Sequence, residues 1–417
     1  MSKESYNISE HNFEQCLKCT VCTAYCPVAA VNPEYPGPKQ AGPDGERYRL
    51  KNADFFDEKL KLCLNCKRCE VACPSGVKIG DIILAARIKH SRHTPSMRDR
   101  MLASTDFVGT MATLVAPIVN ASLNLSPAKT LLDSFIGIDK HASFPRYTGQ
   151  KFTTWYRRYA AAEQEQYPKQ ITFFHGCYVN YNYPQLGKDF IKVMNAMGYG
   201  VKLLDNEKCC GVAMISNGLI SQATKHANIN INAIRNSVAE GRPVVGASST
   251  CILTMRDEYP HILGIDNAEV RESINLATRF IYQQIESGKA HIAFRNDYKA
   301  RLAYHTACHV QRLGWGIFST ELLKMIPGVE LTVLESQCCG IAGTYGFKKE
   351  NYPYSQAIGA GLFKQIAEVN PEYVTTDCET CKMQIEMSTP VRVKHPVSIL
   401  AEAIDVEKTK KLNGLTA

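Results

Sequence analysis

What this 417-residue chain lacks narrows its chemistry before any motif is read. It has no apolar run of the roughly 20 residues that a spanning helix needs. The nearest approach, Phe107 to Ala128, carries no charge but is interrupted by Gly109, Thr110, Thr113, Pro117, Asn120, Ser122, Asn124 and Pro127. Met1 to Phe13 is polar and mixed in charge, so no secretory signal is expected there. No G-x-G-x-x-G lies between a strand and a helix and no P-loop is present, so neither a dinucleotide fold nor nucleotide hydrolysis is expected. Basic stripes interleaved with aromatics, helix-turn-helix patterns and zinc-finger spacings are also missing, so no nucleic-acid partner is expected. Residues 96–168 contain no cysteine, although the whole chain has 17.

Eight of those cysteines form two matching runs. The first is Cys16-x-x-Cys19-x-x-Cys22-x-x-x-Cys26-Pro27 and the second is Cys63-x-x-Cys66-x-x-Cys69-x-x-x-Cys73-Pro74. This is the ligand spacing of [4Fe–4S] clusters, and two copies predict two cubanes. Three thiolates two residues apart wrap a tight loop around one cube. The fourth lies too far along the chain and crosses to the other cluster. The expected sets are therefore Cys16, Cys19, Cys22 and Cys73 for the first cluster, and Cys63, Cys66, Cys69 and Cys26 for the second. Structural zinc needs only four thiolates per site and rarely uses this triple spacing. Disulfides need an oxidising compartment. The formal net charge of +8 drops to roughly +4 once two oxidised cubanes each add about −2. The remaining excess suits an anionic membrane surface or an acidic partner.

The length allows two to three domains. Residues 1–95 read as an all-helical two-cluster ferredoxin domain, with a loop at Pro33–Pro38 and helical patterns over Asn52–Leu62 and Ile79–Ile88. Residues 96–168 read as a helical linker. There Leu131, Leu132, Phe135 and Ile138 fall on one helical face flanked by Lys129 and Lys140, a pattern that suits a membrane interface, packing on its own domain or a contact with another protein.

Residues 169–290 and 291–417 read as two copies of one unit. The first has Cys177, Cys209-Cys210-Gly211 and Ser248-x-x-Cys251. The second has Cys308, Cys338-Cys339-Gly340 and Cys378-x-x-Cys381. Matching positions are offset by 131, 129 and 130 residues. Each copy alternates short apolar strands with amphipathic helices, predicting repeated α/β (βαβαβ) units with a parallel sheet, in a chain that is α+β multidomain overall. The cysteines fall just after strands, where such sheets place their sites. Adjacent thiolates can bind different irons of one cluster, and glycine lets the backbone bend close to it. The second copy offers five thiols, Cys308, Cys338, Cys339, Cys378 and Cys381, one more than a cubane takes. With Ser248 in place of a cysteine, the first copy keeps four, Cys177, Cys209, Cys210 and Cys251. Cluster, zinc or a structural role all remain open for these sets. His175, His305 and His309 flank the first cysteine of each copy as outer donors or ligands.

Two ferredoxin runs followed by two Cys-Cys-Gly repeats resemble the iron–sulfur subunits related to heterodisulfide reductase, which include those of glycolate oxidase and lactate utilisation. Within that family the likeness is strongest to iron–sulfur subunits of anaerobic glycerol-3-phosphate dehydrogenases. Cys16–Cys22, Tyr35–Arg47, Cys63–Cys73, Gln337–Glu350 and Asp377–Cys381 carry it, and it covers nearly the whole chain. The resemblance implies a non-catalytic subunit that takes electrons from flavoprotein dehydrogenase subunits oxidising sn-glycerol 3-phosphate. It implies delivery toward the quinone pool in anaerobic respiration, and a peripheral place on the cytoplasmic face of the inner membrane. It further implies a non-cubane [4Fe–4S] cluster at the five thiols of the second copy. Iron–sulfur subunits of glycolate or lactate dehydrogenases, and a disulfide reductase working at the C-terminal site, are the alternatives.

Overall fold

A computed structural model describes residues 13–52, 55, 57–90 and 94–415. Among the described residues up to His90 there is no strand. Each cysteine run contains one helical turn, Val21–Ala24 in the first and Arg68–Val71 in the second. Helix Ile79–His90 backs both runs, with Ile79, Ile82, Ile83 and Ala86 packed against Phe13, Cys22, Cys26, Leu60 and Cys69. The helix expected over Asn52–Leu62 is not formed among its described residues. Asn52, extended at ψ 102, ends helix Gly45–Lys51, and only a 3-10 turn, Glu58–Leu62, capped by Asp57, precedes the second run. Ala53, Asp54 and Phe56, part of that expectation, lie outside the described residues.

The uncharged stretch becomes three short helices, Thr105–Leu114, Ala116–Ser122 and Ser126–Leu131, with proline in the first turn of the second and third. Proline suits a first turn but cannot donate to the turn before it, so each one starts a helix and forbids continuity with its predecessor. No helix among the described residues is long and apolar enough to cross a membrane. The single face expected from Leu131 to Ile138 is split. Leu131 and Phe135 are exposed, Leu132 packs on the core, and Ile138 lies beyond the helix, buried and bridged to Lys348. The left-handed Gly137, φ 77, ends the helical turn and swings Ile138 inward.

Two four-stranded parallel sheets follow. The first comprises β1 (Lys169–Phe174), β2 (Tyr199–Leu203), β3 (Val244–Gly246) and β4 (Ile274–Leu276), in the order β2-β1-β3-β4. The second comprises β5 (Ala300–Tyr304), β6 (Val329–Val333), β7 (Tyr373–Thr375) and β8 (Val393–Lys394), in the order β6-β5-β7-β8. Registers run Thr172↔Val244 in one and Leu302↔Tyr373 in the other. The expected α/β repeats are present, each with one strand more than the pattern predicted. β8 spans only two residues, too short for alternation to register, and β4 is confined between the 3-10 turn Arg271–Ser273 and helix Ala277–Glu286. Crossover helices Pro184–Ala196, Ile220–Ala239, Gly316–Lys324 and Tyr352–Val369 cover the sheets. The inner strands β1, β3, β5 and β7 are mostly buried, whereas the edge strand β6 alternates apolar Val329 and Leu331 with exposed Glu330 and Thr332.

The repeats pack reciprocally. Helix Pro184–Ala196 of the first lies on Pro396–Ala403 of the second, and Gly316–Lys324 of the second lies on Ala277–Glu286 of the first. The loops after β3 and β7 therefore meet: Ser249 donates its N–H to the Asp377 carbonyl (3.0 Å), and Thr278 and Ser319 donate to the buried Asp377 carboxylate (2.9 Å each).

Candidate functional site

All 17 cysteines are free thiols. In the N-terminal segment they surround two small hollows. One is lined by Cys16, Cys19, Cys22 and Cys73, the other by Cys26, Cys63, Cys66 and Cys69. The fourth cysteine of each run thus stands with the first three of the other run. The backbone explains how. Among the described residues, four of the seven non-glycine residues with positive φ are Lys18 (59°), Thr20 (64°), Asn65 (54°) and Lys67 (61°), at equivalent places on either side of the second cysteine of each run. Such residues cost about 1–3 kcal/mol each and persist where the surroundings hold them. Alternating handedness turns successive N–H groups into one concavity, a form that receives anionic groups including iron–sulfur centres. The Asn65 N–H points at Cys63 Sγ (3.4 Å). Burial pushes the Cys26 thiol up to about 12, so metal binding must displace protons there.

The second hollow abuts the repeats. The Cys308 thiol beside Cys66, and then burial, hold Cys66 well above the ordinary thiol range. Arg68 donates to Ser336 Oγ (2.8 Å) and to its carbonyl (3.1 Å), Asn65 to Glu258 (2.7 Å) and Arg312 to Glu70 (2.9 Å). Lys67 pairs with Asp81 in the same buried layer, and Glu70 lies 3.7 Å away. These ionic and polar links pin the ferredoxin-like segment to both repeats.

Each repeat gathers its thiols at the carboxyl ends of its strands. Cys209 and Cys177 lie 4.0 Å apart, Cys339 and Cys381 3.4 Å apart. The Cys-Cys-Gly glycines are left-handed, Gly211 at φ 89 and Gly340 at φ 93. A Cβ on Gly340 would stand 2.0 Å from the Ser355 carbonyl, so only glycine fits. The Cys381 thiol hydrogen-bonds to Cys378 and holds it at about 6, below the ordinary thiol value. Ser248, at the place of Cys378, caps the turn instead, accepting from the Cys251 N–H (3.2 Å) and donating to Glu379 (2.9 Å). Burial raises Glu379 to about 8. Among the described residues no three His, Cys, Asp or Glu side chains converge on a point that would hold a single metal ion.

The histidines differ in setting. His175 contacts Glu207 (3.1 Å) and the Gly176 carbonyl (2.9 Å), His309 contacts Thr250 Oγ1 (3.1 Å), and His305 is fully buried. Burial lowers all three to about 4.

A cavity of about 630 Å³ joins the two repeats and is lined by all nine of their cysteines together with Cys66. Its opposite wall comes from the uncharged stretch and its flanks, through Met101, Leu102, Val108, Met111, Val115 and Phe144. No cysteine spacing pointed to these residues. The signal was the missing charge between Phe107 and Ala128.

Comparison with known proteins agrees with this layout. The 4Fe-4S dicluster domain family matches residues 12–77, and the cysteine-rich domain family matches residues 171–256 and 302–386. The chain is 56% identical to a subunit of the anaerobic glycerol-3-phosphate dehydrogenase of Escherichia coli K12, across 95% of this chain and all of that protein. It is 22% identical to a subunit of the dihydromethanophenazine:CoB–CoM heterodisulfide reductase of Methanosarcina barkeri, over 94% of each chain. It is 27% identical to lactate utilization protein A of Oceanobacillus iheyensis, over 55% of this chain and 96% of that one.

Proposed function

The chain belongs to the family of the iron–sulfur subunit of anaerobic glycerol-3-phosphate dehydrogenase, and from that premise we propose that it carries electrons from a flavoprotein that oxidises sn-glycerol 3-phosphate toward the membrane quinone pool. Cys16, Cys19, Cys22 and Cys73 hold one [4Fe–4S] cubane, and Cys26, Cys63, Cys66 and Cys69 hold the other. Cys308, Cys338, Cys339, Cys378 and Cys381 hold a non-cubane cluster, and Cys177, Cys209, Cys210 and Cys251 hold a further metal group. Bound there, such groups supply one-electron transfer at potentials set by nearby hydrogen bonds and exposure.

The observation that carries this reading is the order of the thiol sets. Cys19 alone among the 17 cysteines is exposed. Behind it stands the second hollow, whose Cys66 touches Cys308 of the second repeat. The thiols of the first repeat share the cavity beyond. Leu17, 72% exposed beside the exposed thiol, supports docking of the donor at this end.

The uncharged stretch supports peripheral membrane contact. Phe107, Leu114, Ile118, Leu125, Leu131 and Phe135 are all exposed on short helices or at their ends, and the exposed Lys140 and Arg146 follow them in the chain. An apolar face with cationic neighbours suits an anionic lipid interface.

The test is reduction of the anaerobically purified chain, followed by electron paramagnetic resonance, with glycerol 3-phosphate and its flavoprotein partner added together and separately. Reduction is expected only with both. Metal groups that stay oxidised under those conditions overturn the proposal. Disulfide reduction by the isolated chain would favour the alternative activity at the second repeat.

A further inference from the structure

The part of the 630 Å³ cavity that faces away from the thiols has the chemistry of a ligand site. Its wall is aliphatic and aromatic, built from Met101, Leu102, Val108 and Phe144. Phe107, Met111 and Val115 line it too, yet are 70%, 51% and 47% exposed, so they form its mouth. That mouth opens on the apolar helices assigned above to the lipid interface. On the inner side stand a few neutral polar groups, the Thr250–His309 pair, Thr380 and the Tyr147 hydroxyl. No Lys or Arg is among the lining residues. An anionic substrate, whether a sugar phosphate or a carboxylate-bearing disulfide, finds no counter-charge there and would meet the Glu379 carboxyl instead. A neutral, flat ring with carbonyl acceptors and a hydrocarbon tail suits this lining: tail in the mouth, ring against the aliphatic wall, one carbonyl toward the Tyr147 hydroxyl.

We propose that this cavity is a quinone-binding site of the chain itself, with the ring held between the thiols of the two repeats and residues 101–115, and the tail leaving past Phe107, Met111 and Val115. The inference rests on the reading that electrons leave toward quinone, and it names where the acceptor sits.

The test uses the full chain assembled with its flavoprotein partner and a 1,4-naphthoquinone bearing a photoreactive azide on a short isoprenoid tail. Irradiation followed by peptide mapping is expected to place the label on residues 101–123 and 144–147, and excess unlabelled naphthoquinone is expected to abolish it. Filling the wall with Val108→Trp is expected to lower labelling at least tenfold, with iron content and the spectra of the dithionite-reduced protein unchanged. A competed label on the partner protein overturns the inference, as does label spread without competition over the outer face of 107–135, or full labelling of V108W. If V108W loses iron, the wild-type map decides alone. Labelling is read without glycerol 3-phosphate, so its failure is separate from failure of the flavoprotein to reduce the chain.

Discussion

The crossing of the fourth cysteines makes a prediction that iron counting can refute. The hollow of Cys16, Cys19 and Cys22 is completed by Cys73, and that of Cys63, Cys66 and Cys69 by Cys26. If each cubane needs four thiolates, replacing one removes about four irons per chain. Cys16→Ala and Cys73→Ala then strike the same centre, so the double variant is expected to lose about four irons, no more than either single change. Cys16→Ala with Cys26→Ala strikes both centres and is expected to lose about eight. Ligation within each run reverses these numbers: the pair 16 and 26 would lose about four, and the pair 16 and 73 about eight. Iron and acid-labile sulfide analysis on anaerobic protein, with spectra of the reduced state, reads the difference directly. Loss of about four irons in the 16 and 26 double variant would refute the crossed arrangement.

Other outcomes follow from the same geometry. Lys67→Met leaves Asp81, Glu70 and Glu258 in a buried layer without their shared cation and is expected to destabilise the chain by about 3–5 kcal/mol in denaturant titration; a loss under about 1 kcal/mol would mean the layer is hydrated. His305 is lowered to about 4 by burial and His395 is lowered too, the latter held neutral between the Ala247 carbonyl and the Val397 N–H. A depressed histidine contributes its stability fully above its unfolded value near 6.5, and loses it as pH falls toward the folded value. Stability is therefore expected to fall between pH 7.5 and 5.5 by about 1.4 kcal/mol for His305 alone, and His305→Asn is expected to flatten that slope. Leu17→Glu, on the exposed rim of the first hollow, is expected to slow reduction by the flavoprotein at least tenfold while dithionite reduction is unchanged. Phe107→Ser with Ile118→Ser removes two exposed apolar side chains and is expected to weaken sedimentation with anionic vesicles by roughly tenfold per residue; unchanged sedimentation would remove the lipid interface.

Much of this molecule is written locally. Cysteine spacing names the metal chemistry because a ligand loop closes within a few residues, and Cys-Cys-Gly declares its turn because its glycine takes the left-handed φ in both copies. Six of the eight strands and all four crossover helices were visible as short apolar runs alternating with amphipathic segments. Where local signals thin out, the tertiary fold decided. β8 is too short to carry a period, β4 is confined between a 3-10 turn and a helix, and both pair with the edges that β3 and β7 offer. The helix expected over Asn52–Leu62 gave way to an extended Asn52 and a short turn that delivers Leu60 to the thiol core. Ile138 left the helical face it was expected to share with Leu131, Leu132 and Phe135 and is buried against the second repeat.

The sequence by itself determined which atoms are present to bind metal and in what loops, since those loops depend on neighbours within the chain. Only the tertiary structure decided that Cys66 meets Cys308, that the thiols of both repeats face one cavity, and that an uncharged stretch without a single cysteine closes its far side. Those contacts join residues far apart along the chain, and they follow from how buried surfaces pack, which no local pattern encodes.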